Sequence, residues 1–171
     1  MKRRDFLGIA AGAWVATAAR ANAPAVQSLD EALRWVGQVE QSAAAHTRAG
    51  WPLAAVIEHL AQSIEFSLSG FPQARSALFQ HTLGAGAFAV FKWRGRMHHD
   101  LTQPIPGAPA LTLPGDLARS TQRLRAAITR FDAHSGPLMP HFAYGPLSKG
   151  DYAIAHTLHI ANHQDDIVLS A

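Results

Sequence analysis

Between Pro52 and Gly70 the apolar residues Leu53, Val56, Ile57, Leu60, Ile64 and Leu68 recur at steps of three and four. That spacing lines one face of a helix with a 3.6-residue turn. The same period returns in two other places. Leu33, Val36 and Val39 carry it early in the chain, and Leu117, Leu124, Ile128 and Phe131 carry it later. No stretch alternates apolar and polar residues as a half-buried strand would. The chain is therefore expected to be all-helical after residue 27, loops apart.

Punctuation divides the helices. Ser28-x-x-Glu31 is a capping box and opens the first, which fades near Ala49-Gly50. Pro52 stands where a first-turn proline belongs and starts the second, which Gly70-Phe71-Pro72 ends. Gln73 to Trp93 is a third helical stretch with small residues in its middle (Gly84, Ala85, Gly86, Ala87, Ala89), a composition that permits close helix contact. Arg94 to Pro114 is rich in Pro and Gly and cannot be regular helix. Asp116 caps a further helix that stops at His134-Ser135-Gly136-Pro137. Ser148-x-x-Asp151 opens the last, after the loop Pro140 to Leu147. Four main helices, one extra helix and a long crossing loop make a helical bundle.

The first 21 residues read as a leader. Lys2-Arg3-Arg4-Asp5-Phe6-Leu7 runs into an apolar segment ending near Val15, too short for the roughly 20 residues that span a bilayer. Ala19-Arg20-Ala21 is a small-x-small cleavage site, and Arg3-Arg4-x-Phe6-Leu7 resembles a twin-arginine export signal. The expected layout is a signal peptide over 1–21, a linker over 22–27 and the bundle over 28–171. The twin-arginine export machinery would be a partner, and the mature protein would be periplasmic or otherwise exported. Of 15 basic and 12 acidic residues the leader holds four (Lys2, Arg3, Arg4, Arg20) and one (Asp5), so the mature chain has 11 of each. The positive balance belongs to the leader, and no nucleic-acid partner is expected.

The chain has ten histidines and no cysteine, which removes thiolate ligands, thiolate nucleophiles and disulfides together. His159 and His163 are four apart on the last helix, so both imidazoles reach one point beside it. His59 sits between Val56 and Leu60 on the inward stripe of the second helix. Three such histidines on facing helices would hold a divalent ion with positions left open, as catalytic zinc sites do. Their nitrogens would then cluster within about 4 Å of one another. Two other readings stand beside this one: His59 as a core histidine bonded to a neighbour, and His159/His163 as a solvated helix face.

His156 is a substitute ligand or a neighbour of the site. Asn162 and Asp166 can orient ring N–H groups, and Asp166 can equally be a surface acid. His141 lies on the loop entering the last helix and can overhang the open positions. Glu65 is rotated off the His59 face by about a third of a turn. His98-His99 are expected to be exposed in a loop, and His46, His81 and His134 to have ordinary surface roles. No Glu-x-x-His, His-Glu-x-x-His or Gly-x-Ser-x-Gly occurs, which excludes the carboxylate di-iron bundle, the standard zinc-protease helix and the serine-hydrolase elbow.

Three segments together resemble a known family. His59-Leu60-Ala61-Gln62-Ser63-Ile64-Glu65-Phe66, His141-Phe142-Ala143-Tyr144-Gly145-Pro146-Leu147, and His159-Ile160-Ala161-Asn162-His163-Gln164-Asp165-Asp166 are similar to DUF1569, a family of domains of unknown function. The second-helix histidine and the paired histidines of the last helix also resemble the DinB-like (DinB/YfiT) superfamily of metalloenzymes. The resemblance implies an up-and-down four-helix bundle holding a divalent ion, commonly zinc or nickel, on His59, His159 and His163. Superfamily members include thiol-dependent transferases and a maleylpyruvate isomerase, whereas DUF1569 itself implies no reaction. The export signal separates this chain from the cytosolic, thiol-rich setting of those enzymes. Two functions follow as expectations. One is a metal-dependent enzyme of transferase or hydrolase type acting on an unknown small molecule, with His141, His156 or Glu65 giving acid–base help. The other is a non-catalytic periplasmic module that binds a metal or ligand. The sequence leaves the oligomeric state open, a homodimer included.

Overall fold

The computed structural model describes residues 25–111 and 115–170. The leader over 1–21 lies outside them, as do residues 22–24 of the linker. Helix α1 spans Leu29–Gln41, α2 Leu53–Ser69, α3 Ala77–Phe79, α4 Ala85–Arg94, α5 Leu117–Ala133 and α6 Lys149–Gln164. The caps fall where short polar side chains can reach free amides. Ser28 accepts from Glu31 N–H, Asp116 from Ala118 and Arg119 N–H, and Ser148 from Asp151 N–H. No helix among the described residues is long and apolar enough to cross a membrane.

The core lies between α1, α2, α5 and α6. Helix α2 packs most extensively on α5, α1 also packs on α5, and α6 lies against α2 and α1. Trp35, Val36, Ile57, Leu60, Ile64, Leu124, Ile128, Phe131, Tyr152 and Ile160 fill the space between them. Helix α2 is buried on most of its surface, and this draws His59 inside along with its apolar neighbours. On the outer side of α2, Arg123 of α5 forks onto Glu65 at 2.7 and 3.2 Å and also pairs with Glu58.

Several expectations need correction. Helix α1 ends at Gln41, not near Ala49, because His46–Thr47 forms strand β1 and pairs antiparallel with β2, Ile167–Val168. The described residues are thus mainly helical with one small two-stranded sheet, too short to register as alternation. The Gln73–Trp93 stretch is not one regular helix. Residues Gln80–Gly84 make a π turn between α3 and α4. Its small residues do not form a helix-packing seam. Gly86 has nothing within 4 Å of an added Cβ, whereas a Cβ on Gly84 would lie 1.9 Å from the Ala143 carbonyl oxygen. Gly84 therefore serves a close approach to the 141–145 loop. Leu78, Leu83 and Trp93 on this stretch are exposed.

Gly95, at φ 62°, ends α4 in the left-handed conformation. The crossing loop then runs back over the molecule. Met97 and Ile105 bury their side chains, and Gln62 of α2 donates to the Pro109 carbonyl at 3.2 Å. These contacts pin a segment with no regular structure.

Candidate metal centre

Helix α2 delivers His59 and α6 delivers His159 and His163 to the same point. His59 Nε2 lies 3.2 Å from His159 Nε2. One nitrogen from each of the three rings falls within 4.8 Å of the others. Ring centroids are 5.0 Å apart for His59–His159, 5.2 Å for His59–His163 and 5.0 Å for His159–His163. The closest pair matches the roughly 3.3 Å edge of a tetrahedron with 2.0–2.1 Å bonds. The full trio is somewhat wider than the expected 4 Å, a difference that soft side-chain torsions can absorb. Trp51 sets its edge against His59 at 5.3 Å.

The site is largely buried and rich in ring nitrogens. His59 and His163 are 3% and 1% exposed. His159 is half-buried because it borders a cavity. Burial holds all three rings neutral. It lowers His59 to about 4 and His163 to about 2, with neighbouring imidazoles adding to the effect, and it places His159 well below its usual range. His59 Nδ1 and His163 Nε2 are buried without a hydrogen-bond partner. A buried polar atom left unpaired costs about 1–3 kcal/mol. No carboxylate hydrogen bond to these three rings is present among the described residues. The donor set suits a divalent cation: three neutral imidazoles that each bring one nitrogen to the same point, with His163 Nε2 buried and unpaired.

His99 joins this cluster, against expectation. Its neighbour His98 is exposed, but the His99 ring packs 4.8 Å from His159 and 5.1 Å from His163. The signal that could have found it is the pair of apolar residues Met97 and Ile105 on either side, which turn the loop inward.

The other expected site residues separate into two groups. His156 and His141 form a second layer. His156 Nε2 donates to Ser67 Oγ at 3.2 Å, since the Ser67 hydroxyl itself donates to the Ile64 carbonyl at 2.6 Å. His141 Nδ1 accepts from Ala143 and Tyr144 N–H at 3.1 and 3.2 Å, and its ring stacks on Tyr144 at 4.2 Å. Burial lowers both to about 3. Gln80, from the π turn, donates to the Phe142 carbonyl at 3.1 Å and holds the His141 loop in place. Asn162 is buried beside His163 in sequence with its Nδ2 unpaired. Asp166 lies beyond the end of α6, and its carboxylate accepts from Ala49 N–H at 3.5 Å, which fits the surface-acid alternative. Glu65 likewise leaves the acid–base set, because Arg123 holds both its oxygens.

A cavity of about 230 Å³ connects the layers. His59, His99 and His159 of the cluster line it together with His141 and His156, as do Arg75 and Tyr144. Burial raises the Tyr144 hydroxyl to about 12, so it stays protonated.

Fold and site together define a mainly helical protein with a buried histidine cluster beside a small cavity. The chain belongs to the DUF1569 family, described as proteins of unknown function, whose model matches residues 20–169. No curated protein and no solved structure matches it.

Proposed function

We propose that this chain is an exported divalent-metal protein of the DinB-like type, with an up-and-down four-helix bundle holding zinc or nickel on His59, His159 and His163. The observation that carries this reading is the convergence of three neutral imidazoles from facing helices, with His163 Nε2 buried and without a hydrogen-bond partner. The ring of contacts α2–α5–α1–α6 supports the bundle. Export is supported by the Arg3-Arg4 leader and by a family match that begins at residue 20, beside the Ala19-Arg20-Ala21 cleavage site.

The function that fits this site is catalysis on a small molecule held in the adjoining cavity, of transferase or hydrolase type. A bound divalent ion supplies Lewis acidity there. Met97, Ile105 and Ala155 give the cavity beside His59 and His159 apolar walls. Tyr144 can donate a hydrogen bond, and His141 keeps its proton on Nε2 because Nδ1 is occupied by two backbone N–H groups. Arg75 offers a cation to an anionic group. A second reading, a non-catalytic binding module, is favoured by one observation, the fourth imidazole of His99 against the cluster.

Thermal denaturation tests the metal reading. Zinc at about 100 times its dissociation constant should add about 2.7 kcal/mol, which raises Tm by roughly 5–10 °C for a domain of this size, and a chelator should reverse it. A Tm that ignores both zinc and nickel contradicts the proposal.

A further inference from the structure

His99 sits among the three histidines, and its own hydrogen bonding fixes which nitrogen faces which way. Its Nδ1 lies 2.8 Å from the Asp100 carbonyl oxygen. A carbonyl only accepts, so Nδ1 carries the ring proton and Nε2 carries a lone pair. That Nε2 is buried and has no hydrogen-bond partner among the described residues. An imidazole whose one nitrogen donates to a backbone carbonyl while the other stands bare is oriented as metal-bound histidines are.

The loop around it is built. Asp100 Oδ1 accepts from Thr102 N–H and from the Thr102 hydroxyl at 2.9 and 2.8 Å, and the Asp100 carbonyl also accepts from Gln103 N–H at 3.2 Å. Met97 and Ile105 anchor the two sides in the core. The ring touches His159 and His163 and borders the cavity. It does not belong to the group of three whose nitrogens lie within 4.8 Å of one another.

We propose that His99 is a fourth, loop-borne ligand, which closes the coordination shell from the cavity side. This rests on the three-histidine reading above and deepens it. A cavity ligand then reaches the ion only by displacing His99. The two functional readings become two states of one site, closed by the loop at rest and opened by a ligand that competes with an imidazole.

Cobalt loading of the full chain separates the possibilities, with visible absorption, affinity by chelator competition and an azide titration as readouts. The wild type should give four-coordinate bands that azide leaves unchanged. His99→Ala should bind cobalt about tenfold or more weakly, with altered bands that respond to azide. His99→Gln, which keeps a polar side chain in the loop, should behave the same way, and His98→Ala should match the wild type. Wild-type bands, affinity and azide response in His99→Ala would overturn the assignment and leave the three-histidine site standing. The same loss in His98→Ala would overturn it too, by showing an effect of the loop and not of the ligand. Absence of stoichiometric cobalt in the wild type would instead remove the underlying three-histidine reading.

Discussion

Helix α6 carries buried histidines one turn apart that the protein treats in opposite ways. His156 is fully provided for: its Nε2 donates to Ser67, and its ring packs on Phe131 and Tyr152. His141 beside it is equally settled, with two amides on Nδ1. Next along the helix, His159 and His163 meet His59 and His99, and three of these four rings keep a buried nitrogen with no partner. The polar atoms of a stable core are paired. A layer that pairs them lies next to one that does not, and on the proposed reading the second layer is the one that would ligate an ion.

Acid should produce the largest effect and strike both layers. Burial lowers His59, His141, His156, His159 and His163 below 6.5, so between pH 6.5 and about 4 the unfolded chain binds protons that the folded one refuses. Stability is therefore full above pH 6.5 and falls as pH drops, by up to about 1.4 kcal/mol per pH unit for each histidine. Denaturant midpoints measured from pH 7.5 to 4 check this, and a flat profile would mean that the histidines are accessible in the folded protein.

Single substitutions should then split the layers. His163→Ala should abolish the zinc-dependent rise in Tm, a loss of about 100-fold or more in affinity for a site left with fewer ligands. His156→Ala should lower the starting Tm but leave the zinc increment intact. Differential scanning calorimetry with zinc and with a chelator reads both, and an equal zinc increment in the two variants would erase the distinction.

Removing the partner of the settled layer has a smaller expected effect. Ser67→Ala leaves the His156 Nε2–H buried and unpaired, at a cost of about 1–3 kcal/mol that should be the same with zinc or chelator. Chemical denaturation under both conditions measures it. A cost that depends on zinc would tie Ser67 to the metal layer. Smallest of all, His134→Ala should change stability by less than about 0.5 kcal/mol and leave metal content unchanged, since its ring bonds only the nearby Pro137 carbonyl.

What could be read from the sequence is what local spacing determines. The caps Ser28, Asp116 and Ser148 act within one turn of their own position. His159 and His163 are neighbours on any helix that contains both. His59 was legible because its apolar neighbours fixed the face it occupies. His99 was not, because a loop's path is set by contacts distant in sequence, here Met97 and Ile105 in the core and Gln62 on Pro109. The end of α1 depended on β2, more than 100 residues away by the numbers of Thr47 and Ile167. Asp166 looked like part of the last helix until the chain turned at Asp165 to enter that strand. Glu65 was placed correctly off the His59 face, but the sequence did not show that Arg123 would hold it there.

X-ray absorption on the zinc-loaded protein tests the central claim most directly, because it reads the ligand shell itself. The account predicts one ion per chain with a nitrogen shell at about 2.0–2.1 Å and the outer-shell scattering of at least three imidazoles. Loss of that scattering should accompany removal of any one of His59, His159 or His163. An all-oxygen shell, or a wild-type protein that retains no stoichiometric ion, would contradict it.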